Sequence, residues 1–355
     1  MKILVINPGS TSTKIALFED GRQLWDDTQR YDTDVIGGYK TVADQHDFRL
    51  AAIKDAMAKH GLKSSDLDAV VGRGGLMKPI VSGTYAVNDA MLADLESAQY
   101  GSHASNLGAG LALSLAREGG CGKAFIVDPV VVDELMDVAR VTGLPQIQRR
   151  SVFHALNQKA IARKAAAELG KAYEECNFIV AHMGGGITVG AHDHGRVIDV
   201  TNGVDGEGAF SPERSGALPA GGVAALCFSG QYSQDQIKKL INGKGGLVAH
   251  LGTNDLREVC RRVEAGDAHA KLIFQALAYQ VAREIGARAV TLRGKVDAIV
   301  LTGGLSYSEA FDDEIRQWVG FIAPVKVYPG EDELRALAEG GARVLSGAEA
   351  AKIYV

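Results

Sequence analysis

Residues 3–21 read Ile3-Leu-Val-Ile-Asn-Pro-Gly-Ser-Thr-Ser-Thr-Lys-Ile-Ala-Leu-Phe-Glu-Asp-Gly21: two apolar runs around a polar, glycine-bearing turn. The same grammar returns at residues 178–195, where Phe178-Ile-Val-Ala-His-Met-Gly-Gly-Gly-Ile-Thr-Val-Gly-Ala-His-Asp-His-Gly195 runs into Arg-Val-Ile-Asp. Each stretch predicts a strand, a tight polar turn, a second strand, a glycine turn and a third strand. A second echo keeps the same order: Asp68-Ala-Val-Val-Gly-Arg-Gly-Gly-Leu76 and Asp297-Ala-Ile-Val-Leu-Thr-Gly-Gly-Leu305. One such echo is within the reach of chance among glycine-rich strand ends. Two in the same order indicate an internal duplication.

Helical spacing fills the gaps. It predicts helices over 47–60, 152–169 and 269–292, each followed closely by a glycine, and a terminal helix over 334–351 interrupted at Gly340-Gly341. Strands and helices alternate, so the expected class is α/β. The expected division is residues 1–150, completed by a terminal helix over 335–355, and residues 151–334. Two such domains facing one another would form a central cleft.

A chain of 355 residues exceeds one ordinary core, in keeping with two domains. The net charge of −5, with no dense Lys/Arg stripe, argues against a nucleic-acid partner. Cys121, Cys176, Cys227 and Cys260 are widely spaced, which reads as reduced thiols in a cytoplasmic protein. No apolar run approaches membrane-spanning length.

Asn7-Pro-Gly-Ser-Thr-Ser-Thr-Lys14 is not a Walker A loop, because Thr13 stands where that motif needs glycine. Gly108-Ala-Gly110 likewise lacks the third glycine of a dinucleotide fingerprint. The turn nevertheless offers backbone N–H groups, the Ser10, Thr11 and Ser12 hydroxyls and Lys14, a set suited to an oxyanion. A solvated hairpin turn has the same composition.

Taken together, the N-terminal turn, the turn at His182-Met-Gly-Gly-Gly186 and the Gly-Gly turn at Thr302–Leu305 resemble the phosphate and adenosine motifs of the acetate and sugar kinase, heat-shock chaperone and actin superfamily. Within it, Asn7…Lys14, His103-x-x-Asn106, Asp128, His182–Gly186 and Glu213-Arg-Ser-Gly216 are similar to the acetokinase family. Val71-Gly-Arg-Gly-Gly75, His154-Ala-Leu-Asn-Gln-Lys159, Arg214–Pro219 and Pro329-Gly-Glu-Asp-Glu-Leu334 resemble its butyrate kinase branch.

The resemblance implies two duplicated ribonuclease-H-like, actin-like ATPase domains and the reversible reaction of ATP with a short-chain carboxylate to give an acyl phosphate and ADP. Arg73, Asp128, His182 and Arg214 are then the catalytic set. Asn7, Ser10, Thr11, Ser12, Lys14, Gly184, Gly185, Gly186, Gly303 and Gly304 bind nucleotide. His103, Asn106 and the small Ala181 shape the acid pocket, and Glu333 with Asn7, or Glu331 in its place, serves Mg²⁺. His154 helps to shape the crevice, and the family suggests a homo-oligomer, dimer or larger.

Bland readings stand beside these: an ion pair for either arginine, a strand-end cap for Asp128, a helix cap for His103. His192, His194, His250 and His269 fit no ligand spacing and are expected at the surface. Acetate or propionate is the alternative acid, and a non-catalytic nucleotide-dependent switch is the alternative class.

Overall fold

A computed structural model describes residues 1–355. The chain divides into two compact units, Met1–Val132 with Asp332–Val355, and Asp133–Glu331.

In the first unit, β1 (Lys2–Pro8), β2 (Ser12–Glu19) and β3 (Arg22–Arg30) form the antiparallel meander read from the sequence. β4 (Ala69–Arg73) pairs parallel with β1, and β6 (Ala124–Val127) parallel with β4. Two short strands, β5 (Thr84–Ala86) and β12 (Lys352–Ile353), extend this edge, giving the order β12-β5-β6-β4-β1-β2-β3. In the second unit, β7 (Asn177–Met183), β8 (Ile187–Asp193) and β9 (Arg196–Val200) repeat the meander, and β10 (Ala298–Gly303) and β11 (Val325–Pro329) add parallel strands. The order β11-β10-β7-β8-β9 matches β6-β4-β1-β2-β3 strand for strand. The duplication is therefore present in the topology.

β1 and β7 lie inside their sheets and are covered on both faces, which is why they read as continuous apolar runs. Leu4 and Ile6 pack with residues of the helices His46–Lys59 and Leu107–Glu118. On β7, Ile179, Ala181 and Met183 face the long helix Ala268–Thr291, while Phe178 and Val180 face helix Ala155–Glu168.

Three expectations are corrected. Residues 133–150, expected in the first half, pack with the second unit: Lys159 Nζ pairs with Glu134 Oε2 at 2.9 Å in full burial, and the Met136 N–H donates to the Ile198 carbonyl. The terminal helix runs unbroken from Glu333 to Leu345 through Gly340-Gly341. Those glycines are there for proximity, since a Cβ would lie 2.4 Å from Val127 Cγ2 at Gly340 and 2.7 Å from Val71 Cγ2 at Gly341. The chain then turns into β12 instead of continuing the helix to residue 351. Gly72 and Gly108 show a still closer approach: a Cβ on Gly72 would sit 2.1 Å from the Gly108 carbonyl oxygen. Gly108 thus lets helix Leu107–Glu118 lie directly on β4 beside Arg73.

All four cysteines are free thiols. No helix is long and apolar enough to cross a membrane.

Candidate active site

In the first unit the β1–β2 turn is closed by the Gly9 N–H donating to the Ser12 carbonyl at 2.8 Å, and Ser10 and Thr11 are exposed. Asn7 and Lys14 are cross-strand partners, which places both on one face of the sheet. The terminal helix, capped by Asp332, starts on this face and brings Glu333 to Asn7, whose Nδ2 donates to Glu333 Oε2 at 2.7 Å. Arg73, at the end of β4, donates through Nη1 to the same oxygen at 2.6 Å and to Asn7 Oδ1 at 3.4 Å. Asn7, Arg73 and Glu333 are thus one cluster assembled from positions 66 and 260 residues apart.

The surroundings of Arg73 are held by backbone bonds. Asn106 accepts from the Leu76 N–H at 3.0 Å and donates to the Leu95 and Gly101 carbonyls, so its amide secures the Gly75-Leu76 segment. A Cβ at Gly75 would fall 2.5 Å from the Asn106 Cα. The His103 ring accepts from the Ser105 N–H through Nδ1 at 3.2 Å, a helix-cap bond. Burial, with the charges of Arg73 and Arg49, holds its pKa below the ordinary histidine value. Asp128 is buried and adopts a positive φ of 37°, a conformation costly for a residue with a Cβ. Its Oδ1 accepts from the Ser82 hydroxyl at 2.5 Å and the Gly83 N–H at 2.8 Å.

In the second unit His182 occupies on β7 the place Asn7 occupies on β1, one residue before the last of its strand. It is buried, donates from Nδ1 to Asn157 Oδ1 at 2.7 Å, and lies with Nε2 3.6 Å from Glu331 Oε2. The His154 ring stacks on it at 3.8 Å between centroids and is itself bonded to Thr188 Oγ1. The Gly184–Gly186 turn is closed by the Gly184 N–H donating to the Gly186 carbonyl at 3.0 Å. The Arg214 guanidinium lies against it, so that a Cβ at Gly186 would be 2.1 Å from Arg214 Nη1. Arg214 donates to the Gly203 carbonyl and, from Nε, to Asn242 Oδ1 at 3.1 Å. Burial lowers its pKa from the ordinary arginine value.

Gly303 has φ +93°, and a Cβ there would meet the Met183 carbonyl oxygen at 2.4 Å. The β10 turn therefore lies against the end of β7, and Gly303 and Gly330 exchange backbone hydrogen bonds. A Cβ at Gly304 would meet nothing within 4 Å.

Residues 144–320 match the family model described as the acetokinase family. Over that segment the chain is similar to the acetokinase family. The segment carries the His182–Gly186 turn, Arg214 and Gly303-Gly304.

The fold agrees over nearly the whole chain. An acetate kinase from Porphyromonas gingivalis superposes with a TM-score of 0.80 at 22% identity, covering 97% of this chain and 99% of that one. A propionate kinase from Francisella tularensis subsp. tularensis SCHU S4 gives 0.76 at 19% identity, with coverages of 96% and 98%. An acetate kinase from Entamoeba histolytica gives 0.76 at 15% identity, with coverages of 96% and 99%. The shared architecture is an α/β fold of two units, each built on one sheet.

Around the acetokinase motifs the structure revises individual residues. Ala181 is not on the side of His182: strand alternation turns it into the apolar core with Ile179 and Met183. Glu331 Oε2 lies near His182, whereas Glu333 Oε2 accepts from Asn7. His192 is fully buried, not at the surface, bonded to Gln158 and the Tyr173 hydroxyl, while His194, His250 and His269 are exposed. Burial pushes the His192 pKa well below the usual histidine value. Two residues that sequence reading missed support the turns: Asn157, which fixes the His182 ring, and Arg49, which lies under the N-terminal turn. Neither stands out in sequence, since each lies among other polar residues of its helix.

Proposed function

We propose that the protein is a carboxylate kinase that transfers the γ-phosphoryl group of ATP to butyrate, or to a related short or branched fatty acid, giving an acyl phosphate and ADP. The observation that supports the reaction class is the acetokinase-family match over residues 144–320. The acid is inferred from the butyrate-kinase-like motifs around Arg73, His154, Arg214 and Glu333.

A fatty acid has a carboxyl pKa of roughly 4–5, like glutamate, so the nucleophile is already ionised at neutral pH. The protein needs no general base; it must bring anions together and stabilise the transferring group. One carboxylate oxygen bonds to the γ-phosphorus as the bond to the ADP oxygen breaks, and ADP leaves with that electron pair. Each unit supplies a phosphate-binding turn in this reading, the β1–β2 turn with Lys14 and the Gly184–Gly186 turn, and Gly304, where a Cβ would meet nothing within 4 Å, leaves its backbone open to adenosine. Arg73 and Arg214 offer planar forks to carboxylate or phosphoryl oxygens. His182, with its ring fixed through Nδ1, donates from Nε2 when protonated. Asp128 orders the 82–83 loop.

Magnesium fits the first unit, because it takes one or two carboxylates and completes its shell with phosphate oxygens and water. Glu333 supplies a carboxylate with Asn7 beside it, and the ion would neutralise phosphate charge.

We read the protein as a cytoplasmic homo-oligomer. Helix Ala220–Cys227 buries none of its residues, and Phe228 after it is 91% exposed, which suits a self-association surface.

Incubation with butyrate, MgATP and hydroxylamine tests the reaction, because an acyl phosphate is captured as its hydroxamate. Hydroxamate formation dependent on both acid and ATP is expected. Its absence with every acid from acetate to valerate would overturn the proposal and leave the nucleotide-dependent switch as the better reading.

A further inference from the structure

The reaction described above gives no task to Arg49, yet Arg49 is among the most buried side chains of the protein, with no exposed surface. Its guanidinium lies directly beneath the Gly9–Ser12 turn. Nη1 donates to the Gly9 carbonyl at 2.8 Å, the Ser12 carbonyl at 3.0 Å and Thr13 Oγ1 at 3.1 Å, and Nη2 donates to the Ser10 carbonyl at 3.0 Å. The Thr11 carbonyl accepts from the Tyr31 N–H at 2.9 Å. All four carbonyl oxygens of the turn are thus bound by donors of the protein. Their lone pairs, which would repel an anion, are engaged.

The remaining donors of Arg49 go to a neutral group. Nε and Nη2 both donate to Gln45 Oε1, at 3.1 and 2.9 Å, and the Tyr31 ring lies 4.9 Å from the guanidinium carbon. No carboxylate is within ion-pair distance of Arg49. A buried cation without a counter-charge is costly, and proteins ordinarily pair it. Gln45, itself buried, stands in the place where a glutamate of the same shape would neutralise it.

We infer that Arg49 is an electrostatic positioning residue of the phosphate turn, and that its missing counter-charge is a polyphosphate bound on the exposed side of the turn. This rests on the reading of that turn as a phosphate site. Arg49 touches no phosphate in this scheme. It sets the carbonyl directions and contributes a positive potential through the thin wall of the turn. In a site of low effective dielectric, a full charge one turn away changes anion affinity by about tenfold.

Two substitutions at Gln45 separate charge from packing. Gln45→Glu keeps the shape and both acceptor bonds but supplies a carboxylate, so the fold should be retained or stabilised while affinity for pyrophosphate and ADP falls about tenfold. Affinity for adenosine, which carries no charge, should not change. Gln45→Met removes the acceptor but adds no charge, so the melting temperature should fall while pyrophosphate affinity holds. Calorimetric titration of the full chain with pyrophosphate, ADP and adenosine reads both. Wild-type affinity in Gln45→Glu would overturn the role of Arg49 with the phosphate site intact. Failure of the wild type to bind pyrophosphate or ADP would overturn the phosphate reading itself. Should Gln45→Glu not fold, Gln45→Met decides: a tenfold loss of pyrophosphate affinity there would make the role purely structural.

Discussion

Arg73 and Glu333, 260 residues apart in sequence, share an ion pair of 2.6 Å whose acceptor oxygen also receives the Asn7 amide. The arginine proposed for anionic substrate and the carboxylate proposed for magnesium are therefore partners. Each keeps the other neutralised. The side chains are 35% and 18% exposed, so the pair adds little stability and can be parted by ligands that replace its bonds.

Glu333→Gln is accordingly expected to change stability by no more than about 1 kcal/mol. It should lower kcat/KM by about a hundredfold and raise the magnesium concentration needed for half-maximal rate. Thermal melts and magnesium titrations of the initial rate check the two halves. Arg73→Lys, which keeps charge but loses the planar fork, should also lower kcat/KM.

His182→Asn tests transition-state donation. Loss of a donor used in the transition state and not in ground-state binding lowers kcat and kcat/KM together, by about 10²–10³ for a preorganised site. The KM for ATP should move little. A rise in KM at constant kcat would assign His182 to nucleotide binding.

The buried Asp312, on helix Glu309–Val319, has its pKa pushed up to about 7, chiefly by burial, with the Ser306 hydroxyl and Arg316 opposing the shift. The folded form therefore holds this proton over a range where the unfolded chain, titrating near 3.8, has released it. Stability is lost as pH rises from about 4 towards 7, by up to roughly 4 kcal/mol, and the loss is complete above pH 7. Asp312→Asn should remove this slope. Melting temperatures of the variant and wild type should diverge from pH 5 to pH 8, with the variant higher at pH 8.

Initial rates with acetate, propionate, butyrate, isobutyrate and valerate should give the highest kcat/KM at butyrate or isobutyrate. Neighbouring acids should overlap, because one methylene in a pocket is worth only ~1–3 kcal/mol. A maximum at acetate would place the specificity with the alternative acid. Ala181→Val, at a position packed with Ile179 and Met183, should lower the melting temperature, and the same series of acids reads whether it also shifts chain-length preference.

Much of the architecture was legible because its signals are local. The strand–turn–strand grammar of residues 3–21 and 178–195 needs only period and glycine placement, and both meanders followed from it, while the Gly-Gly-Leu echo marked the strands that the structure pairs parallel to β1 and β7. What needed the structure was direction and distance. The alternation of β7 already places Ala181 opposite to His182, so that side could have been read; its burial against helix Ala268–Thr291 could not. Gly340-Gly341 reads as an interruption in sequence, and only the approach of Val127 and Val71 shows it to be a packing surface. β5 and β12, at three and two residues, are too short to carry a pattern. Arg49 is one of several polar residues on its helix, and only the turn above it shows its place.

The placement of residues 332–355 has a consequence for synthesis. The second unit is continuous, whereas the first is built from both ends of its sequence. During translation the faces of β1, β4 and β6 that the terminal helix covers stay exposed until the whole second unit has been made. Domains fold as they emerge, and uncovered apolar strands are prone to aggregate. The unit begun first is therefore finished last. A premature stop within the terminal helix would leave a folded second unit attached to a first that cannot close its core.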